Sequence, residues 1–445
     1  MSHRSRLTLT VLTLVAASAF APQVQASGFQ LREQSPSAQG TGFAGVSAGG
    51  SDVSVIFFNP ASMTQFSGWQ FSGGGSLVAP SAEFSNGVAT RVNGTPISGP
   101  TSHSNAAESA ILPNLNIMYS VDNDLKLGFS VNVPFGLTTE YDSNWMGRYH
   151  GLKSKLQTID LTPSIAYRIN PQWSVGAAFV ARKADAELTS AVDYGLVINP
   201  VLGGTLDGTT KLKGNTWGYG FKVGATYQPS DALRFGLAYH GAMNMTLKGD
   251  VSFTYPSTMP APFLAALQAG GLTNGGGSAE LKLPATYSVG FNYDVSPNFS
   301  VQGEVARSTW SRFDELRVKL TTGAPDSITN EKWKDTTFIA LGGTCKVAAW
   351  TYRAGISHDT GAVDDAYRTP RIPDADRTWL SLGAGYAFSK AVTVDAAFSH
   401  LFIKDSNLGL TTTASPTDPN LTRGNLSGTY KMAINIIGVN LKYSF

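Results

Sequence analysis

Residues 158–182 read TIDLTPSIAYRINPQWSVGAAFVAR. Ile159, Leu161, Ile165 and Tyr167 alternate with Asp160, Thr162 and Ser164; after Asn170-Pro171-Gln172, Trp173, Val175, Ala177 and Phe179 alternate with Ser174, Gly176 and Ala178. A period of two with one apolar face is the mark of a strand, and a tight polar turn between two such runs is a hairpin. The pattern recurs from about residue 68 to the end of the chain. Six connections are short, at 121–124, 169–172, 229–232, 295–298, 347–350 and 388–391. Seven are long and polar or Gly-rich, near 80–109, 142–152, 191–211, 250–278, 321–331, 359–377 and 405–428. They join 14 strands. An even strand number, short turns at one end and long loops at the other are the pattern of an all-β transmembrane antiparallel barrel of the outer-membrane type.

Composition agrees. Of 445 residues 42% are hydrophobic but only 14% charged, against about a quarter in soluble domains, and no apolar run reaches the roughly 18 residues of a membrane helix. The first 26 residues carry Arg4 and Arg6, an apolar stretch from Leu7 to Phe20 and a small-x-small site at Val24-Gln25-Ala26, which predicts a secretory signal peptide over 1–26. Without those two arginines, 31 basic residues face 31 acidic ones, so bulk charge offers nothing to nucleic acid. A single cysteine, Cys345, excludes an intrachain disulfide. Tyr119, Tyr167, Trp173, Tyr227, Phe235, Tyr293, Phe299, Trp350, Tyr352, Tyr386, Phe388 and Tyr443 cluster beside the short turns, as one interfacial girdle would require. The last residues, IIGVNLKYSF, alternate to Phe445, as expected of a final strand that closes the wall against the first and leaves no edge.

A barrel this wide is not filled by its own side chains. Residues 27–67, rich in Gly, Ser and Ala and without alternation, are therefore expected to form an N-terminal plug ahead of a barrel over 68–445. Within them GTGFAG (40–45) matches a dinucleotide fingerprint but lacks the strand–helix setting that motif needs. Asn59-Pro60-Ala61 reads as an N-cap followed by Pro at the first position of a short helix.

The opening SGFQLREQSPSAQGTGFAGVSAGGSDVSVIFFNPASM (27–63) resembles the hatch of the long-chain fatty acid transporter family of Gram-negative outer membranes (FadL-type), through GFQL at 28–31 and NPA at 59–61. NVPFGLTTEYD (132–142), AYRINPQWSVG (166–176), NTWGYGFKVGATY (215–227), WKDTTFIALG (333–342) and IPDADRTWLSLGAGYAF (372–388) extend the resemblance through the mature chain. It implies a passive, monomeric, non-enzymatic transporter that takes long-chain fatty acids from outside and releases them sideways into outer-membrane lipid. Uncharged hydrophobes, alkanes or monoaromatic hydrocarbons, are the alternative cargo.

Site residues follow from parity and resemblance together. Arg182 shares the inward parity of Ser174, Gly176 and Ala178, and Lys334 that of Phe338, Ala340 and Gly342; parity alone favours lumen salt bridges with Asp160, Glu304 or Asp335, while the resemblance makes the two cations the ligand-carboxylate pair. Pro134-Phe135-Gly136 must interrupt the third strand, and the resemblance makes that interruption a lateral gate. Phe29 resembles the residue reaching the deep pocket, and Asn59, Pro60 and Ala61 a hatch motif in contact with the wall. In the loop near 254–271, a short helix exposing Phe263, Leu264 and Leu267 would offer an external hydrophobic groove together with residues 194–204, unless the two loops pack on each other. The loop acids Asp359, Asp364, Asp365, Asp374 and Asp376 stand among Arg368, Arg371 and Arg377 and read as a salt-bridged rim. No cofactor or metal is expected. Ser399 and His400, the nearest hydrolase-like pair, face opposite sides.

Overall fold

The computed structural model describes residues 28–445; the expected signal peptide lies outside the described residues. Twenty strand segments form one antiparallel sheet. They are β1 (Trp69–Thr90), β2 (Ala110–Ser120), β3 (Leu125–Asn132), β4 (Gly136–Glu140), β5 (Lys153–Arg168), β6 (Trp173–Asp193), β7 (Asp207–Ser230), β8 (Leu233–His240), β9 (Met243–Thr254) and β10 (Gly275–Leu283). The second half has β11 (Thr286–Ser296), β12 (Phe299–Ser308), β13 (Glu315–Leu320), β14 (Ser327–Asn330), β15 (Thr336–Val347), β16 (Trp350–Asp359), β17 (Arg377–Ala387), β18 (Val392–Ile403), β19 (Ser406–Leu410) and β20 (Asn425–Ser444). Six pairs (β3/β4, β8/β9, β10/β11, β12/β13, β14/β15 and β18/β19) are halves of one interrupted wall strand, so the wall has fourteen. β1 pairs with β20 from Gln70↔Ser444 to Thr90↔Asn425, and Trp69 and Phe445 exchange backbone hydrogen bonds of 2.8 and 3.0 Å. The first and last strands thus close the ladder on each other, as a wall in hydrocarbon requires.

All six short turns fall where the turn chemistry puts them. Several outer connections are much shorter than expected, because strands run on past the apolar belt: β1 continues to Thr90, β6 and β7 stay paired up to Asp193↔Asp207, and β19 and β20 reach Leu410 and Asn425. Beyond the membrane both strand faces meet water or other loops, so alternation is lost while the ladder persists.

The outward face is apolar. Ile437, Val439 and Leu441 on β20 are exposed, while Ile436 and Asn440 beside them are completely buried. The same holds for Leu127 and Phe129, Phe179, Phe221, Leu237, Val289, Ile339, Leu380 and Phe398. In water such a continuous belt would drive aggregation; hydrocarbon matches it. Below it girdle aromatics pair across neighbouring strands, with Trp69–Tyr119, Trp173–Tyr227 and Trp350–Tyr386 ring centroids 4.6, 4.4 and 4.8 Å apart.

Residues 28–67 touch inward-facing groups all round the ring. Gln39 bonds Ser399 of β18 and the Ile436 carbonyl of β20, Ser47 bonds Glu304 of β12 at 2.7 Å, and Thr64 bonds Ser174 of β6 at 2.9 Å. Glycines let the backbones meet. A Cβ on Gly236 would lie 1.9 Å from the Ser47 carbonyl oxygen, and one on Gly355 2.0 Å from that of Thr41. The GTGFAG run is a string of tight turns in this packing, with Gly42, Phe43 and Gly45 at positive φ.

Candidate ligand site

The site begins where β3 stops. Pro134 has no N–H for the ladder, and residues 133–135 leave the wall inward. Phe135 stays bonded to Thr158 of β5, at 3.0 and 3.1 Å, while Val133, Pro134 and Gly136 turn to the N-terminal segment. The Gln34 side chain accepts from the Val133 N–H at 2.9 Å and donates to the Val133 carbonyl at 2.7 Å. Leu31 N–H donates to the Pro134 carbonyl at 2.8 Å, and Gly136 N–H to the Phe29 carbonyl at 2.9 Å. On the β2 side the ladder with β3 ends at Leu115↔Val131 and resumes, in the same register, only as a bridge between Ala107 and Thr139. Between those points β2 contributes Pro113, a second residue with nothing to donate. The wall is interrupted between β2 and the kink, and the segment that begins at Gly28 holds it so.

Phe29 is buried at the centre of an aromatic cage. Its ring centroid lies 4.7 Å from Trp310, 5.5 Å from Trp333, 5.8 Å from Phe313 and 6.0 Å from Phe135. All four partners come from strand interruptions: Phe135 from β3/β4, Trp310 and Phe313 from β12/β13, and Trp333 from β14/β15. Of these, the sequence singled out only Phe135, through the Pro-Phe-Gly interruption. Trp310, Phe313 and Trp333 were legible as aromatics but not as inward ones, because parity is undefined where a strand breaks.

Against this cage lies a narrow apolar groove, of about 60 Å³, lined by Phe29, Leu137, Leu156, Leu188, Leu212, Leu247, Leu281, Phe313, Leu316 and Ile372. Ser154, Lys155, Glu331 and Arg371 are its polar lining. Arg371 is held by the Ser154 hydroxyl at 2.9 Å and the Thr189 carbonyl at 3.1 Å. Glu331, in the β14–β15 connection, accepts from Trp333 Nε1 at 3.0 Å; its other oxygen has no partner. Burial pushes its carboxyl up to about 8, against the opposing pull of Trp333, Arg371 and Arg423.

Arg182 is inward and buried. It makes a bidentate pair with Asp160, at 2.6 and 2.7 Å, and its guanidinium stacks 4.6 Å from the centroid of Phe135. Lys334 is elsewhere. It lies in the β14–β15 break rather than on a strand, so the parity expected for it does not apply; its side chain is 55% exposed and pairs with Asp364. The two cations share no partner. The other loop acids are also engaged, Asp365 by Arg368 and Asp374 by Arg377, with Asp376 accepting from Gly361 N–H. Among the described residues no cluster has metal-ligand geometry.

The outer helix, Ala261–Ala269, forms as expected but turns its apolar residues the other way. Leu267 is buried, Phe263 packs with it against Tyr194 and Leu206, and Leu264 is only partly exposed. The two loops bury these residues against each other, because apolar area gains more there than in water. Val197 and Val201, at 42% and 87% exposure, are what the 194–204 loop presents outward.

Asn59 caps the short 3-10 helix Pro60–Gln65, accepting from Ala61 N–H at 3.0 Å. Its Nδ2 donates to the Ser47 carbonyl at 2.6 Å and to the Ala225 carbonyl of β7 at 3.1 Å. A Cβ on Gly224 would sit 2.0 Å from Asn59 Oδ1, and one on Gly176 2.4 Å from Ala61 N, so the motif lies directly on the wall. Asn59→Ala removes the cap and the bonds to both carbonyls, a loss of about 1–3 kcal/mol. The expected result is faster amide hydrogen exchange over residues 47–66 with wall amides unchanged; unchanged exchange in 47–66 would show that the motif does not anchor the segment.

A closed membrane barrel with an apolar groove and a broken wall strand defines an outer-membrane transport protein. The family described as outer membrane protein transport protein (OMPP1/FadL/TodX) matches residues 17–445. The Salmonella typhi long-chain fatty acid transport protein is 33% identical over 90% of this chain and 93% of its own length; the Escherichia coli K12 protein of the same name is 31% identical over the same shares. The crystal structure of a Pseudomonas aeruginosa FadL homologue superposes with a TM-score of 0.85 at 26% identity, over 94% of this chain and 100% of that one. The Pseudomonas putida toluene transporter TodX, at 17% identity, 93% and 99% coverage and a TM-score of 0.69, shares the fold. The chain belongs to the OMPP1/FadL/TodX family and is a Gram-negative outer-membrane protein.

Proposed function

We propose that this chain is a passive transporter of long-chain fatty acids that releases them laterally into the outer membrane. The observation that carries the reading is an apolar groove that adjoins an inward kink where the wall ladder is interrupted. Ligand lands on the 194–204 and 254–271 loops, enters the groove against Phe29, and leaves between β2 and Pro134-Phe135-Gly136. Residues 27–67 act as the hatch that closes the axial route, and the barrel works as a monomer. Arg182 takes the ligand carboxylate in exchange for Asp160, and Lys334 attracts it at the outer mouth in exchange for Asp364. The printed names of the Salmonella and Escherichia relatives support this cargo.

A second reading, transport of uncharged hydrocarbons, is favoured by one feature: Arg182 is already fully engaged by Asp160. Equilibrium binding of a long-chain fatty acid and an alkane of equal length to the purified protein separates the two. The acid binding about tenfold tighter, worth 1.4 kcal/mol, supports the first; equal affinities support the second.

Acid binding is also expected to depend on pH. Below about 8 Glu331 is neutral in the folded protein and does not repel a carboxylate in the groove; above it, the ionised side chain does. Affinity for the acid should fall as pH rises through 8, while alkane affinity stays level. In Glu331→Gln the fall should vanish, and a fall that persists there would place the titrating group elsewhere.

A further inference from the structure

The inner wall beside the interruption carries amides with nothing to bond. Asn114 is the β2 residue just past the last paired rung, Leu115↔Val131, and Asn132 is its counterpart at the end of β3. Both are buried, at 1% and 0% exposure, and in each neither Oδ1 nor Nδ2 has a hydrogen-bond partner. One rung back, Asn116 stands opposite Ser130, and its amide and the Ser130 hydroxyl are likewise unpartnered. Asn132 is in register with Asp160 on β5, and Asp160 with Arg182 on β6. A single lateral row therefore leads from the wall interruption to the guanidinium: Asn114, Asn132, Asp160, Arg182.

Buried polar groups without partners are rare because leaving them unmade is costly. Single unpartnered atoms occur elsewhere around the lumen, but the amides with both Oδ1 and Nδ2 unpartnered, Asn114, Asn116 and Asn132, stand together where the β2–β3 ladder fails. Their neighbours across the strands are polar and near, yet no bonds form among them. A partner from outside the protein can meet them. An amide presents one acceptor and two donors. It matches a carboxylic acid in both directions, and two amides together present donors to a carboxylate. A hydrocarbon has nothing to offer them.

We infer that Asn114 and Asn132 form a second head-group site, at the wall opening, for a ligand bearing a carboxylic acid or carboxylate. The site takes the head group over from Arg182 as the chain moves sideways, so that the head never crosses the wall without a hydrogen-bond partner. This rests on the fatty-acid reading above. It adds a step that an alkane does not use, and it separates binding from release.

The test is uptake of a long-chain fatty acid and of an alkane of equal length into vesicles carrying the full chain, with equilibrium binding of both measured alongside. Asn114→Leu/Asn132→Leu keeps the volume and removes the hydrogen bonds. Acid uptake should slow about tenfold or more, with acid affinity within about twofold of the parent and alkane uptake no slower. Asn132→Asp, a single change that keeps the polar surface, should slow the acid by charge repulsion and spare the alkane, and it serves where the double variant does not assemble. If both ligands slow equally, the amides only shape the opening; if acid uptake is unchanged, water is their partner. Either result overturns the inference. If the parent protein takes up no acid in preference to alkane, the fatty-acid reading falls first and this site with it.

Discussion

Pro134→Val combined with Gln34→Leu is expected to shut the lateral route while leaving the barrel folded. Pro134, just beyond the end of β3, cannot donate, and Gln34 is the side chain that satisfies Val133 once the strand has left the wall. With a donor restored at 134 and the inward partner removed, the lowest-energy destination for the Val133 backbone is the β2 ladder, whose register is already set on both sides of the interruption. Closed rungs replace an opening, so uptake of any ligand leaving this way should fall about tenfold or more, since each re-formed backbone bond contributes on the order of 1 kcal/mol. Binding in the groove should survive, because Phe29 and the leucines are untouched. Uptake into vesicles and groove binding are measured on the same preparation. A folded variant with normal uptake would show that ligand does not leave between β2 and β3.

Arg182→Ala is expected to be the most damaging single change in the lumen. Asp160 is completely buried, and its bidentate partner is Arg182. Removing one member of a buried pair strands the other, at a cost of about 3–5 kcal/mol. Arg182→Ala/Asp160→Ala removes both charges, and most of the lost stability should return, read as the denaturant midpoint of the detergent-solubilised barrel. The double variant should nevertheless bind acid and alkane alike, because the cation is gone. Stability that returns together with an intact acid preference would move the carboxylate site away from Arg182. Lys334→Ala is a contrasting control. Its ion pair with Asp364 is more than half exposed on both sides, and such pairs are worth about 0–1 kcal/mol.

How much of this was legible depends on whether a residue sits inside a regular strand. Ile437, Val439 and Leu441 face out and Asn440 faces in because a pleated backbone leaves no other choice, and one apolar face in a membrane fixes the register. The six short turns follow from their local residues. The Asn59 cap needs only three consecutive residues and was readable for the same reason. Arg182 was read inward from parity and is inward.

The misplacements share one cause. Lys334 was counted along a strand that is broken from 331 to 335, so its inward parity was an artefact of extending the period across the break. Trp310, Phe313 and Trp333 lie in such breaks too, and their convergence on Phe29 depends on strands far apart in sequence. The outer helix shows the same limit. An apolar face on Ala261–Ala269 is a sequence property, but whether it meets water, ligand or the 194–206 loop is settled by what packs nearby.

The sequence alone thus determined the strand number, the sidedness of the loops, the lipid-facing belt and the residue that must break β3, because each depends on a period of two or on the missing N–H of proline. Only the tertiary structure decided what the break connects to. Gln34 and Phe29 reach Val133 and Gly136 across about a hundred residues of chain, the aromatic cage draws on three separate interruptions, and the unbonded amides of Asn114 and Asn132 become a pair because β2 and β3 part there. Those are contacts between segments with no local signature, and they arise from how the closed ring packs around its own N-terminus.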